Sequence, residues 1–444
     1  MKITVKNFGP IREAKDIRIS PLTLFVGPSN TGKSYLAIVI CAAVGSTFNS
    51  MKFRQILDQL PGITKANVGR VLEKMFVQWL ECMRQEWKNH IVYYLGEEGS
   101  RIVANRNMSV ELALDDGSIV VDLNKPNSGK IGKAFLSFTE NIVKNRLKHY
   151  PPSDTEGLKD DVLRPLYIHF ADTLWHEFST KFHFLPAARG GAMKSYRAIT
   201  DKALEKMPLP WEENENASPM ISGVSSVFVR QLIGINKEEH GDKNVININK
   251  ILESDILHGR INVKFPTYGL PDFRYAMKGK KYDMAINNVS ESVAELASLS
   301  VFMRYYLRKR SLLVFEEPET NLHPQAQQDI ADIMVRLANA GVFVLATTHS
   351  TVVLEQISNA FRASQFNDAE EGRELLGKNR EPLGEELAVY SFMKKSGGMS
   401  GNPSTMVTKT DFNSTTGILT EDHMDVSREL YDQTVNLVNG QNDE

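Results

Sequence analysis

The chain reads as an α/β protein built on a mixed sheet, with a β-hairpin subdomain and a helical insertion, and three stretches predict this class. Leu22 to Leu36 is an apolar strand that runs through a glycine-bounded loop into a helix. Leu312 to Phe315 is a second apolar strand, followed at its carboxyl end by Glu316 and Glu317. Gly341 to Ala346 is a third, ending in Thr347, Thr348, His349 and Ser350. Strands alternating with helical patterns build parallel or mixed sheets, and ligands gather at the carboxyl ends of such strands.

The loop of the first stretch is Gly27-Pro28-Ser29-Asn30-Thr31-Gly32-Lys33-Ser34, a complete G-x-x-x-x-G-K-S phosphate cradle. Its glycines let successive N–H groups curl into an anion nest, and the helix beginning near Lys33 aims its positive end at the same place. Lys33 would reach the β- and γ-phosphates of a nucleotide, and the Ser34 hydroxyl would hold Mg²⁺. A chance glycine turn is the competing reading. The strand before the loop and the helix after it favour nucleotide binding.

Composition bounds the rest. At 444 residues the chain can bury a sizeable core. Its formal charge is only -2, so no overall basic field calls for nucleic acid, although a local DNA-binding patch is left open. The two cysteines, Cys41 and Cys82, lie in apolar or helical surroundings without a C-x-x-C partner, and read as structural thiols of a reducing compartment. The opening MKITVKNFGPI alternates as a strand does and lacks the apolar run of a signal peptide. No stretch approaches the roughly 18 apolar residues of a membrane span. A cytoplasmic protein with no membrane partner is expected.

Residues 2 to 6 and 16 to 20 read as two strands joined through Asn7-Phe8-Gly9-Pro10. The helix after Ser34, YLAIVICAAVG, is apolar on nearly every side and should be buried against the sheet. From about 51 to 96 the pattern is helical, with Ile56, Leu60, Val71, Met75, Phe76 and Trp79 at helical spacing. MSVELALDDGSIVVDLN reads as a hairpin turning at Asp115-Asp116-Gly117. Helices follow over about 132 to 147 and 162 to 178, then a short strand from Phe182 to Pro186. That strand ends in Ala187-Ala188-Arg189-Gly190-Gly191, where Arg189 either faces the nucleotide or a mobile subdomain, or is a solvated loop residue. Residues 192 to 258 are mixed helix and polar loop, and Ile261 to Phe265 with Phe273 to Met277 suggest a second small hairpin.

Two carboxylates after a buried strand can divide the work of hydrolysis. Glu316 would sit in the Mg²⁺ shell, and Glu317 would orient and polarise the attacking water beyond the γ-phosphate. A surface acidic turn is the alternative, disfavoured in a chain that already carries a complete cradle. His349, at another strand's carboxyl end, can donate to a phosphate oxygen. His323, in Asn321-Leu322-His323-Pro324, instead reads as a cap on the next helix. None of the ten histidines has zinc-like spacing.

In this order, GPSNTGKS, LLVFEEPETNLHP and ATTHS resemble the ABC-type ATPase heads of the OLD, RecF and SMC group. The resemblance covers roughly 1–48 and 262–362; EEPE with NLHP is most similar to the OLD-like branch, as is the turn FLPAARGG. It implies a P-loop ABC-type head divided as 1–48, the N-terminal lobe; 49–261, the helical and hairpin insertion; 262–362, the lobe with signature, acidic strand and histidine; and 363–444, closing strands and a helix. It implies ATP and Mg²⁺ as cofactors and hydrolysis to ADP and phosphate. The stretch matching the signature that completes a partner's nucleotide site is Asn288 to Leu296, without the glycines of transporters, and Ser290 and Ser292 would offer donors there. Either serine is also suited to capping its own helix. One cradle and one signature per chain imply a homodimer or higher homo-oligomer with shared ATP, and the region of Glu319 to Asn321 would lie near the seam.

The tail offers no acidic pattern of the TOPRIM nuclease that follows some OLD-like heads. Leu387 to Met393 and Thr405 to Lys409 read as closing strands, and Val426 to Val438 as an amphipathic helix. A head of this kind is similar to the ATPase subunits of two-component anti-phage systems such as PARIS, which work with a separate protein effector such as a nuclease. Two readings stay open: an ATP-driven molecular switch controlling such an effector, and a RecF- or SMC-like maintenance ATPase that binds DNA itself. The glycine-poor signature and the long insertion argue against a third, the energy subunit of a transporter.

Overall fold

The computed structural model describes residues 2–45, 55–61, 63–113, 119–126, 129–148, 161, 163–166, 182–205, 223–267, 269–377, 379–395, 404–413, 415, 417–418, 429, 431–433 and 435. Most of the helix expected over 426–438, most of that over 162–178 and the hairpin turn at 115–117 lie outside these residues; 429, 431–433 and 435 are helical.

Lys2–Phe8 (β1) and Ile11–Ile17 (β2) pair antiparallel, Phe8 opposite Ile11. The second strand starts earlier than expected because Gly9, at φ 55°, turns the chain so tightly that pairing resumes straight after Pro10. Leu22–Val26 (β3) is buried throughout and leads to the cradle, and Lys33–Gly45 (α1) follows. As its all-round apolar sequence demands, α1 is buried from Leu36 to Val44. Its cover is Val68–Leu95 (α2), the long helix of the insertion, whose Trp87 indole donates to the Val39 carbonyl at 3.0 Å.

After Glu97–Ala104 (α3), the expected hairpin forms from Ser109–Ala113 (β4) and Ile119–Asp122 (β5). It joins the main sheet, because β4 pairs antiparallel with β1; Lys130–Ile131 (β6) extends that edge before Lys133–Arg146 (α4). Phe182–Leu185 (β7) then enters the opposite edge of the sheet, and Arg189–Glu205 (α5), Val224–Ile233 (α6) and Lys243–Ile251 (α7) follow. The second hairpin gains a strand: Gly259–Lys264 (β8), Asp272–Met277 (β9) and Asp283–Ala285 (β10) make a separate antiparallel sheet.

Glu291–Tyr305 (α8) leads back to Leu312–Glu316 (β11), Pro324–Asn339 (α9), Phe343–Thr348 (β12), Thr351–Ser364 (α10) and Ala369–Leu376 (α11). Leu387–Lys395 (β13) and Ser404–Lys409 (β14) close the sheet, as the tail's apolar runs predict. Its order is β6-β5-β4-β1-β2-β14-β13-β3-β12-β11-β7, antiparallel on the β1 side and parallel through β13, β3, β12, β11 and β7.

Period-two alternation sends the parallel strands' side chains to two cores. Phe25, Leu312, Val314 and Leu345 face α1 and α2, whereas Leu24, Val26, Leu313, Phe315 and Val344 face α5 to α10. Helices on both faces leave only strand ends open. That is where this fold must keep its chemistry.

Candidate functional site

Strand register brings the distant motifs together. Val26 of β3 lies opposite Thr348 of β12, Thr347 opposite Glu316 of β11, and Phe315 opposite Leu185 of β7. The chain therefore leaves the sheet at one edge with the cradle, then His349, then Glu317, then the turn to Arg189, side by side.

The cradle has the backbone its glycines require. Gly27 (φ 144°), Asn30 (φ 61°) and Gly32 (φ 94°) occupy positive φ, and a Cβ on Gly27 would stand 2.5 Å from the Phe392 carbonyl oxygen. Thr31 is buried and bonds back to the Pro28 carbonyl at 2.8 Å, while Pro28, Ser29 and Asn30 are exposed at the loop's crest. Lys33 Nζ donates to the carbonyls of Gly27 and Pro28, each at 2.8 Å. Burial lowers the pKa of this ammonium, and the charges of Glu317 and Glu319 work against that shift. Lys33 and the acidic turn thus share one electrostatic site although about 280 residues separate them in sequence.

Glu316 is 7 % exposed. Burial raises its carboxyl pKa, opposed by hydrogen bonds from the Ser34 hydroxyl and the Ala187 N–H, the latter at 3.3 Å. Ser34 and Glu316 are thus two adjacent hard-oxygen donors. They fit Mg²⁺, which takes one or two protein oxygens and keeps the rest of its octahedron for phosphate and water.

Glu317 sits at φ 41°, a left-handed conformation uncommon outside glycine. Several contacts hold it there: its N–H donates to the Thr347 carbonyl at 2.9 Å, and its own carbonyl accepts from Arg189. His349 Nδ1 lies 3.7 Å from the Glu317 carboxylate and 3.4 Å from that of Glu319, and the ring is about half exposed. Ligand contact and contact with the acidic turn are both within its reach.

Glu319 was placed by sequence only near a seam between chains, yet it belongs to this cluster. It is 5 % exposed and accepts from the Thr348 hydroxyl at 2.8 Å and the His349 N–H at 2.9 Å, while its Oε2 is buried with no hydrogen-bond partner among the described residues. A buried carboxylate in a loop looks like a solvated charge in a linear sequence.

Arg189 calls for a correction. Neither a solvated loop residue nor a residue reaching toward a nucleotide, it opens α5 and is fully buried. The parallel pairing of β7 with β11 places its guanidinium under the acidic turn, 4.7 Å from the centre of the Phe315 ring. Ser290 and Ser292 stand elsewhere, at the start of α8. Ser290 is exposed and caps that helix, its hydroxyl accepting from the Val293 N–H at 3.4 Å, with the Ser292 hydroxyl 3.4 Å away. His323 caps α9, its ring accepting from the Gln325 N–H.

A family profile described as "AAA domain, putative AbiEii toxin, Type IV TA system" matches residues 147–355, a span that includes the acidic turn and His349. The cell division ATP-binding protein FtsE of Mycobacterium tuberculosis is 25% identical over 198 residues, 37% of this chain and 85% of that protein. Among solved structures, an SMC head bound to the C-terminal winged-helix domain of ScpA aligns with a TM-score of 0.39 and 12% identity, covering 93% of this chain and 98% of that one. The SMC head domain from Thermotoga maritima aligns with a TM-score of 0.35 and 10% identity, over 93% and 98% of the two chains. The profile and the FtsE relative support an ATPase of the ABC-type AAA kind. No helix among the described residues is long and apolar enough to cross a membrane.

Proposed function

We propose that the chain is an ATP-hydrolysing switch that works as a homodimer or higher assembly and controls a separate protein effector. The observation that carries the ATPase reading is the convergence of Lys33, Ser34, Glu316, Glu317, Glu319 and His349 at the carboxyl ends of adjacent parallel strands. In this reading 1–48, 262–362 and 363–444 make the nucleotide core, with 49–261 inserted.

Each side chain then has a task set by its chemistry. The N–H groups of Gly27 and of Ser29 to Gly32, with Lys33 Nζ, bind phosphate oxygens and offset charge on the β,γ-bridge as it breaks. Ser34 and Glu316 would hold Mg²⁺, which when bound neutralises phosphate charge. Glu317 orients the attacking water and takes its proton; a rigid left-handed peptide fixes the direction of that carboxylate. His349 donates to the γ-phosphate from the facing strand end. Ser290, exposed at a helix N-terminus, and the half-buried Ser292 would complete the site of a partner head.

ATP contacts both heads and ADP lacks the group the partner holds, so binding favours assembly and hydrolysis favours release. The profile's description names a putative toxin of a type IV TA system; the setting we propose, anti-phage defence with a separate effector, rests on the resemblance of the motifs to OLD-like heads. Two variants test the ATPase reading. Lys33→Ala is expected to lose nucleotide binding, whereas Glu317→Gln is expected to bind ATP and turn it over slowly. Wild-type turnover in Glu317→Gln would remove the assigned base.

A further inference from the structure

The acidic turn and the helix start that carries Ser290 are joined by a buried ion pair. Arg189 Nε lies 3.1 Å from Glu295 Oε2, with the two side chains 0 % and 2 % exposed. On one side the guanidinium gathers three successive carbonyls: Nη1 donates to Glu316 O at 2.8 Å and Glu317 O at 3.3 Å, and Nη2 to the carbonyls of Glu317 and Pro318, each at 3.3 Å. On the other side Glu295 accepts from Asn321 Nδ2 at 3.2 Å and from the Gly190 N–H. A Cβ at position 190 would stand 2.7 Å from Glu295 Oε1, so a larger residue there would push the carboxylate aside.

Glu295 lies on α8, little more than one turn beyond Ser290. A rigid helix start moves as a unit, so a displacement at Ser290 reaches Glu295. Arg189 is bonded directly to the peptide whose φ of 41° aims the Glu317 side chain. A burial this deep leaves the pair no water to exchange partners with, so a shift of Glu295 is passed on and not absorbed.

We propose that Arg189 and Glu295 are positioning residues that transmit engagement of the Ser290 end of α8 to the Glu317 turn of the same head. This deepens the proposed function and rests on it. In an assembly with shared sites, the serines of one head meet the ATP held by its partner, and the link then orders the carboxylate acting on that head's own ATP. Each site is readied by occupancy of the other. Hydrolysis thereby waits for complete assembly.

The test uses the full chain. Glu295→Gln keeps shape but removes the negative charge paired with Arg189, and Arg189→Lys keeps the charge but cannot span the three carbonyls. Turnover at saturating ATP, binding of a fluorescent ATP analogue and ATP-driven self-association by sedimentation are measured for both. The expected result is a fall in kcat of about 10- to 100-fold with affinity and association held, because a small misplacement of a catalytic group costs that much. Unchanged kcat in a folded variant overturns the proposal, as does kcat falling only in step with affinity. If one variant does not fold the other decides, and if neither folds the pair is a scaffold contact and the proposal falls. Failure of the ATPase reading appears separately, as wild-type turnover that Lys33→Ala does not abolish, and the link falls with it.

Discussion

Two helix starts carry phosphate-suited groups, and they are finished in opposite ways. At Lys33–Gly45 the start is enclosed: the loop before it is tied back by Lys33, the hydroxyl of Ser34 meets Glu316, and the carboxylates of Glu317 and Glu319 bear on the same ammonium. At Glu291–Tyr305 Ser290 is exposed, and its described hydrogen bonds stay within its own helix start. The first has Glu316, Glu317 and His349 gathered around it by strand register. The second offers the Ser290 hydroxyl beside an ion pair of Glu291 with Lys194 at 2.6 Å, and in the proposed assembly it would complete a site on another molecule.

If this contrast holds, damage at the two starts should differ in kind. Lys33→Ala strikes the enclosed start and should abolish ATP binding, measured by titration with a fluorescent analogue. Glu317→Gln should lower turnover by about 10²- to 10⁴-fold, the usual contribution of a positioned base, with ATP binding retained. Chelating Mg²⁺ should stop phosphate release, and adding it back should restore the rate; a Ser34→Ala variant should need more Mg²⁺ for half-maximal turnover. The open start should be gentler. Ser290→Ala with Ser292→Ala should cut turnover about 10- to 100-fold by losing charge-assisted bonding worth about 1.5–3 kcal/mol in all, without changing ATP binding to the isolated chain. The same double variant loses a helix cap, so thermal melting should show a loss of about 1 kcal/mol in stability. Equal effects on binding from both starts would erase the distinction.

The enclosed start was legible in the sequence because its instructions are contiguous. Glycines at positive φ, a lysine and a serine after an apolar strand leave few alternatives. Glu316, Glu317 and His349 were legible for a related reason: each stands within three residues of the end of an apolar run, and the parallel pairing of those runs places all three at one edge. Arg189, Glu295 and Glu319 were not. Each is a charge buried by contacts that are distant in sequence, and a linear reading assigns charges to solvent. The clue for Arg189 was its place after Phe182–Leu185, among Pro, Ala and Gly residues too small to cover it; only the pairing of that strand with Leu312–Phe315 gives the clue meaning.

Hairpins show the same limit. The alternation of Ser109–Ala113 and Ile119–Asp122 announced a hairpin, but nothing local announced that it would pair with the first strand and lengthen the main sheet. The second strand was misplaced by a few residues because Gly9 turns the chain more tightly than the polar residues around it suggest.

A shared site makes one demand that an enclosed site does not: ATP must bring chains together. The most direct measurement is sedimentation of Glu317→Gln with Mg²⁺ and ATP, compared with ADP and with the same variant carrying Ser290→Ala and Ser292→Ala. ATP should convert the chain to a dimer or larger assembly, ADP should not, and the serine changes should weaken the conversion. A chain that binds ATP and stays monomeric, or that assembles equally well without the serine hydroxyls, would contradict the account.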